Sequence, residues 1–375
     1  MNWLLERDKA RVLVRRSSGT ESVGMPRGGR TDRGHARWGN KHRMAPAART
    51  IRLLALAVLV ATCSDASGPE GAPEPAAIAV SPSALRSTVA ALADDSMCGR
   101  LAGSPYEQEA ATYIAARFAN AGLEAGGVDG WFQDVPGLFV EASAPPTAEC
   151  VVEERGRSQN VIGLLHGSGY LEGEWVVLGA HYDHLGWVDV GGHADVFNGA
   201  DDNASGTAVV LEVARLLQRW VVAHPEATQA RRSILFVTFG AEEEGLIGSQ
   251  AFAVRPTVPR DSFYAMINLD MVGWLYDGQL TIAGVDTWPA WRALLDARRP
   301  ASVHFVFDDA SLSRSDQFSF ISFLELPAIH VFTGVHPEYH TTRDDSATLN
   351  YDGMGQVAEM VLALVWDLAT QTDSP

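Results

Sequence analysis

Carboxylate and imidazole side chains recur in five short segments of the chain, each placed after a run of apolar residues. The segments, in chain order, are His181-Tyr-Asp183-His184, Asp201-Asp202-Asn203, Glu242-Glu243-Glu244, Asp270 and His336-Pro-Glu-Tyr339-His340. Each has a structural explanation when taken singly, because Asp-Asp-Asn before a helix, for example, is usually an N-cap. Together they indicate a metal site, since a folded protein does not collect so many carboxylates without cations to neutralise them.

The types of these residues suit a catalytic pair of divalent ions. Two imidazoles and three carboxylates can hold two ions, with one carboxylate shared between them. Four positive charges against three negative charges leave room for a bound hydroxide, which is the condition for lowering the pKa of water towards ~7. The absence of a cysteine from the segments argues against a structural thiolate site.

Apolar strands and helices alternate around the five segments. The pattern predicts strands near 159–165, 174–180, 233–239, 263–269 and 327–332, and helices near 105–121, 205–222, 245–254 and 352–370. Several strands are apolar on both faces, which is typical of a sheet covered by helices on each side. We therefore expect a three-layer α/β/α sandwich with a mixed, mainly parallel sheet, whose strand ends bring the segments into one pocket.

The start of the chain differs in composition from the rest. Residues 1–63 carry 13 Lys and Arg against four Asp and Glu, and an apolar run at 53–61 precedes Cys63. This is typical of a leader with an export signal, for which Met44 is a possible start. We expect residues 64–82, rich in Ser, Gly and Pro, to be a flexible linker and residues 83–375 to form one catalytic domain.

The cysteines bear on the compartment. Cys63 stands where bacterial lipoprotein signals place the cysteine that is lipidated, so we expect an exported protein, anchored in the cell envelope through a lipid. A plain signal peptide, giving a periplasmic or secreted protein, is the alternative. The apolar run is far shorter than the ~20 residues of a membrane span. Cys98 and Cys150 either pair in an oxidising compartment or remain free thiols.

The charge of the chain excludes one class of partner. The formal net charge is −17, and residues 64–375 hold 42 Asp and Glu against 16 Lys and Arg. A body this acidic repels phosphate instead of releasing counterions from it, so nucleic acid is not an expected partner.

The order and spacing of the five segments, over residues 85–370, resemble those of two-zinc aminopeptidases of the bacterial leucyl aminopeptidase kind, within the zinc-dependent exopeptidase superfamily. The resemblance implies the fold of that superfamily and two Zn²⁺ per chain. It places His181 and Asp270 on one ion, Glu243 and His340 on the other, and Asp201 between them. It also implies a cis peptide bond from Asp201 to Asp202, a supporting and not a ligating role for Asp202, and Asp183 as the residue that orients His181.

The same resemblance assigns the proton transfers. Glu242 would be the general base, taking a proton from a metal-bridging water and returning it to the leaving amine. Neighbouring side chains of an extended segment point opposite ways, so Glu243 can ligate while Glu242 faces the water. Tyr339 is a candidate donor to the oxyanion, with a packed aromatic as an equal alternative. Five further residues are expected to be loop, supporting or solvated residues: His184, His193, Glu244, Asp316 and His336.

The implied protein is a hydrolase, a zinc-dependent metalloprotease of the exopeptidase type that removes residues from peptide or protein N-termini. A dipeptidase with an inserted dimerisation domain would need on the order of 100 residues between the later motifs, whereas 69 separate Asp270 from His340. A glutaminyl cyclase-like enzyme with a single zinc is a further alternative. So is a non-catalytic binding module of the same fold, although such modules usually lose ligands.

Overall fold

A sheet of nine strands runs through the part of the chain that the computed structural model describes, namely Pro75 and residues 78–136, 145–152, 156–225 and 230–372. Its strands are β1 (Glu124–Ala125), β2 (Phe132–Val135), β3 (Ser158–Leu165), β4 (Trp175–His181), β7 (Ser233–Phe239), β8 (Phe263–Leu269), β9 (Gln279–Ala283), β10 (His304–Phe307) and β11 (Ala328–Phe332). A separate hairpin consists of β5 (Trp187–Val190) and β6 (His193–Val196). The expected leader, with Met44 and Cys63, lies outside the described residues.

The central strands of the sheet are parallel to one another, and the next strand on each side runs antiparallel to them. The strand order is β1-β3-β7-β4-β8-β11-β9-β10, with β2 also paired to β3. The pairs from β7 through β4 and β8 to β11 are parallel, whereas β3 runs antiparallel to β7 and β9 antiparallel to β11. The predicted mixed, mainly parallel sheet is therefore confirmed.

Helices cover both faces of the sheet. They are α1 (Pro82–Leu92), α2 (Pro105–Ala121), α3 (Gly206–Ala223), α4 (Ile247–Val254), α5 (Trp291–Arg298), α6 (Gln317–Leu324) and α7 (Tyr351–Thr370). The residues of β4 alternate between two hydrophobic clusters, because successive side chains of a strand point to opposite faces. Val176 and Leu178 join a cluster with α1, α2, α3, α5 and α7, and Val177 joins one with Phe252 of α4 and Phe320 of α6. These are the three layers that the sequence predicts.

Two local features mark the amino-terminal part of the fold. Helix α2 begins after Ser104, whose hydroxyl accepts a hydrogen bond from the Glu107 amide at 3.2 Å, and Pro105 is its first residue. Cys98 and Cys150 form a disulfide, the first of the two alternatives that the sequence left open. Among the described residues, every helix is too short or too polar to cross a membrane.

Candidate metal centre

The predicted segments meet at one edge of the sheet. Four of them lie at or after the ends of β4, β7, β8 and β11, whose carboxyl ends lie together because these strands are parallel, and the fifth, Asp201-Asp202-Asn203, lies in the turn that leads into α3. A cavity of about 290 Å³ opens at this edge. The acidic and imidazole side chains that line it are His181, Asp202, Glu242, Glu243, Asp270 and His340.

Asp202 lies between two imidazoles. Its Oδ1 is 3.2 Å from His181 Nε2, and its Oδ2 is 3.0 Å from His340 Nε2. Asp270 Oδ1 lies 3.3 Å from His181 Nε2, and Glu243 Oε1 lies 3.5 Å from His340 Nε2. The donor atoms therefore form two adjoining groups that share the carboxylate of Asp202.

The structure does not place Asp201 in the position predicted for the shared carboxylate. Its Oδ1 accepts a hydrogen bond from the Gly273 amide at 2.6 Å, its Oδ2 lies 3.2 Å from His336 Nε2, and it is not among the residues that line the cavity. The His336 ring stacks on Trp274 with 4.1 Å between centroids. The predicted cis bond between Asp201 and Asp202 is also wrong, because the cis peptide joins Asp202 to Asn203.

Asp183 contacts both the ring of His181 and the backbone of Glu242 and Glu243. Its backbone carbonyl lies 3.3 Å from His181 Nδ1, which leaves Nε2 of that ring facing Asp202 and Asp270. Its carboxylate accepts hydrogen bonds from the amides of Glu242 at 3.0 Å and Glu243 at 3.3 Å. The carboxylate Oδ1 of Asp183 also lies 3.7 Å from His181 Nδ1, so the carbonyl and the side chain of Asp183 both face that ring nitrogen, and the side chain in addition positions the loop after β7.

Two buried residues that the sequence analysis does not identify bind the backbone of the loops that carry the ligands. The Asp344 carboxylate accepts hydrogen bonds from the amides of Asp201 and Asp202 at 2.9 and 3.1 Å. Arg100 donates to the carbonyls of Tyr182 and Gly199, at 2.7 and 2.9 Å, and so ties the two loops that carry the ligands. Asp344 could have been found from the sequence, because it is an acidic residue four positions after the predicted ligand His340. Arg100 lies near none of the five segments, so the sequence offers no signal for it.

The adjacent glutamates differ in acidity. Burial raises the pKa of Glu242 well above its ordinary value, and the negative charge of Glu243 adds to this effect. Burial and Asp202 act in the same direction on Glu243, yet its contacts with His184 and His340 lower the pKa of Glu243 to about 2. One carboxylate of the pair is therefore suited to hold a proton and the other to remain ionised.

The donor set fits a pair of divalent cations. His340 Nε2 is buried and lies close to two carboxylates, but it makes no aligned hydrogen bond with either. Two groups of potential ligands have donor atoms within 4.8 Å of one another: His181 with Glu242 and Asp270, and His184 with Asp202 and Glu243. Imidazole and carboxylate donors that converge in this way are the ligands that zinc takes in catalytic sites.

The four remaining candidates each lie in a different environment. Tyr339 lines the cavity and stacks on His340 at 3.8 Å, and burial raises the pKa of its phenol, which therefore stays protonated. Asp316 is fully buried, and burial raises the pKa of Asp316 to about 7. Glu244 is half-buried beside the cavity, and His193 is an exposed hairpin residue bonded to Glu149 at 2.8 Å.

The sequence of the chain matches the family model described as peptidase family M28 over residues 160–365. Aminopeptidase YwaD of Bacillus subtilis is 28% identical over 231 residues, which are 58% of this chain and 46% of that protein. Leucine aminopeptidase 1 of Ajellomyces dermatitidis is 32% identical over 205 residues, 48% of this chain and 52% of that protein. The chain thus spans about half the length of the curated relatives it matches.

Solved structures share the fold. An aminopeptidase from Aneurinibacillus sp. strain AM-1 aligns with a TM-score of 0.56 at 20% identity, covering 79% of this chain and 95% of its own. A zinc aminopeptidase from Bacillus subtilis aligns with a TM-score of 0.57 at 18% identity, covering 78% and 96%. At these identities the likeness concerns the architecture alone.

Proposed function

Because the chain belongs to peptidase family M28, we propose that it is a metallo-aminopeptidase that hydrolyses the N-terminal peptide bond of peptides or proteins. The observation that carries the proposal is the position of Asp202, with one oxygen towards each of two imidazoles, in the same cavity as Glu242. The names of the relatives, which are aminopeptidases, support the choice of reaction.

The proposed cofactor is two Zn²⁺ per chain. His181 and Asp270 would hold one ion, His340 and Glu243 the other, and Asp202 would contact both. Asp202 takes the role predicted for Asp201, because its two oxygens face the two imidazoles while those of Asp201 contact Gly273 and His336. When bound, the ions would polarise the scissile carbonyl and lower the pKa of the attacking water.

The residues of the chain would then manage the proton. Glu242 lines the cavity, and a carboxylate whose pKa is raised by burial can accept a proton and keep it until the amine leaves. We propose that it takes the proton from the attacking water and donates it to the leaving nitrogen. Tyr339, protonated and in the same cavity, is the proposed hydrogen-bond donor to the carbonyl oxygen as negative charge develops on it.

The test is a panel of aminoacyl-anilides and free peptides, assayed before and after chelation and after zinc is restored. Chelation should abolish release of the first residue, and zinc should restore it. Glu242→Gln should lower kcat by ~10²–10⁴-fold, because general acid–base catalysis is lost, while zinc content stays at the wild-type value. Full activity of Glu242→Gln, or a single tightly held zinc together with cyclisation of N-terminal glutamine, would refute the proposal.

We also propose that residues 44–63 direct export and that Cys63 carries a lipid anchor. The disulfide between Cys98 and Cys150 supports an oxidising compartment. N-terminal sequencing of the mature protein together with labelling by a radioactive fatty acid tests this. Label on a chain that begins at Cys63 is the expected result, and an unlabelled chain cleaved elsewhere would instead identify a plain signal peptide.

A further inference from the structure

His184 lies inside the candidate metal centre, where the sequence predicts a loop, supporting or solvated residue. It follows β4 by three residues and is 1% exposed. Its Nδ1 lies 2.9 Å from Glu243 Oε1 and 3.9 Å from Asp202 Oδ2. Its ring centroid is 5.8 Å from that of His340. The group around Glu243 thus contains two imidazoles, whereas the group around Asp270 contains His181 alone.

Four donor atoms surround one point in this group. They are His184 Nδ1, His340 Nε2, Glu243 Oε1 and Asp202 Oδ2, and the separations between imidazole nitrogens and carboxylate oxygens are 2.9, 3.0, 3.5 and 3.9 Å. Ligands at 2.0–2.2 Å from a tetrahedral zinc are roughly 3.4 Å apart. The four nitrogen–oxygen separations bracket that value, and the donor atoms of His184, Asp202 and Glu243 all lie within 4.8 Å of one another, which supports a single ion among these ligands.

Contacts with Arg100 and Gly199 hold the ring of His184 in this position. Its backbone amide donates to the Arg100 carbonyl at 3.3 Å. Gly199 packs so closely on the ring that a Cβ atom there would lie 2.5 Å from Cγ. Within the described chain His184 Nε2 has no hydrogen-bond partner, so no contact at that nitrogen obliges Nδ1 to carry the hydrogen. In the metal-free chain Nδ1 hydrogen-bonds Glu243 Oε1 at 2.9 Å, and a bound ion would take the place of that hydrogen.

We propose that His184 ligates the same ion as Glu243 and His340, an inference that rests on the proposed metal-dependent function. The two metal positions are then unequal: one has two nitrogen and two oxygen donors from the chain, and the other has one nitrogen and fewer donors in total. Zinc prefers the nitrogen-rich position, while carboxylate-rich positions accept several metals. The ion beside His184 should therefore be the last to leave during chelation.

The experiment compares three variants of the full chain: His184→Ala, His184→Asn and, as a matched control, His193→Ala on the exposed hairpin. Asn keeps an amide nitrogen near the position of Nδ1 and can still donate to Glu243, but it is a poor zinc ligand. Zinc content is measured after dialysis against graded chelator, and the visible spectrum is recorded after substitution with Co²⁺. In wild type, two ions should leave in two separate steps.

Both His184 variants should lose the tightly held ion at chelator concentrations more than ~100-fold lower than wild type, beyond the effect of residues that only orient ligands. Their Co²⁺ spectra should change, and His193→Ala should behave as wild type. Wild-type affinity and spectrum in His184→Asn would overturn the inference and leave the proposed function intact. A wild-type protein that binds no metal would overturn both.

Crystals of the zinc-loaded wild type provide a test that does not depend on a variant folding. Anomalous scattering at the zinc edge should place one ion ~2.0–2.1 Å from His184 Nδ1. A distance above about 3 Å would show that His184 only donates a hydrogen bond to Glu243.

Discussion

Asp201 and Asp202 are chemically identical neighbours that point to different surroundings. Asp202 faces the two imidazoles of the cavity, whereas Asp201 contacts His336 and the amide of Gly273. A spacing argument cannot separate two adjacent residues of the same type, because either could reach the site until the backbone is placed. Likewise, only the placed backbone shows that the ring of His184 lies against Glu243 and Asp202.

The pair yields a direct comparison. Asp202→Asn should remove the shared carboxylate, lower zinc content and reduce kcat/KM by more than ~100-fold. Asp201→Asn should retain zinc and lose less activity, because its oxygen can still accept from Gly273. Zinc analysis and steady-state kinetics of both variants measure this. Equal loss of zinc in the two variants would contradict the assignment of Asp202.

Tyr339 gives a second prediction. Tyr339→Phe keeps the ring that stacks on His340 but removes the phenol. If the phenol donates to the developing oxyanion, kcat should fall by ~10²–10³-fold while KM changes little. A variant with wild-type kcat would show that Tyr339 is a packing residue. A fall in kcat accompanied by a fall in the unfolding temperature would indicate the same.

The long central elements are predictable from sequence and the short peripheral ones are not. β4 and β7 are fully buried apolar runs, so their bounds differ from the predicted ones by at most a residue. β1 has two residues, and the hairpin β5–β6 has mostly exposed positions, so neither carries a hydrophobic period. Helix α6 is eight residues long and apolar on several sides, which gives no clear helical face.

The start of α6 carries a pH dependence. Asp316 precedes this helix, and burial raises the pKa of its carboxyl to about 7 in the folded chain, against ~3.9 for an exposed Asp. The folded state therefore binds a proton that the unfolded state releases between about pH 4 and 7, and this group costs stability as the pH rises through that range.

Asp316→Asn should remove that cost. In chelator-treated protein, the variant should unfold at a higher temperature than wild type at pH 8, with a smaller difference at pH 4.5. Asp352→Asn, at an exposed position of α7, is the control and should show no such pH dependence. A difference between Asp316→Asn and wild type that is the same at both pH values would argue against the raised pKa.

At the scale of the whole molecule, the acidic body creates a field around the cavity. Residues 64–375 carry 42 acidic against 16 basic residues. These charges attract a distant substrate strongly only at low ionic strength, because the Debye length falls from ~30 Å at 0.01 M to ~8 Å at 0.15 M. Substrates with positive charge should therefore be concentrated near the protein.

This predicts a salt-dependent preference. The ratio of kcat/KM for Leu-Lys-Lys to that for Leu-Glu-Glu should be largest at 10 mM NaCl and should fall several-fold by 500 mM, as measured by release of leucine. A ratio independent of salt would mean that local contacts in the cavity, not the net charge, set the preference. The uncharged Leu-Ser-Ser should change little and serves as the reference.

The site is assembled from residues that lie far apart along the chain, from His181 at the end of β4 to His340 shortly before α7. A polypeptide threaded through a membrane pore from its amino terminus would bring out the first imidazole some 160 residues before the last. A partly translocated chain lacks some of the ligands, so both ions could bind only after translocation is almost finished. If the protein is exported in this way, its metal supply is that of the destination compartment, and external zinc availability would regulate how much active enzyme accumulates.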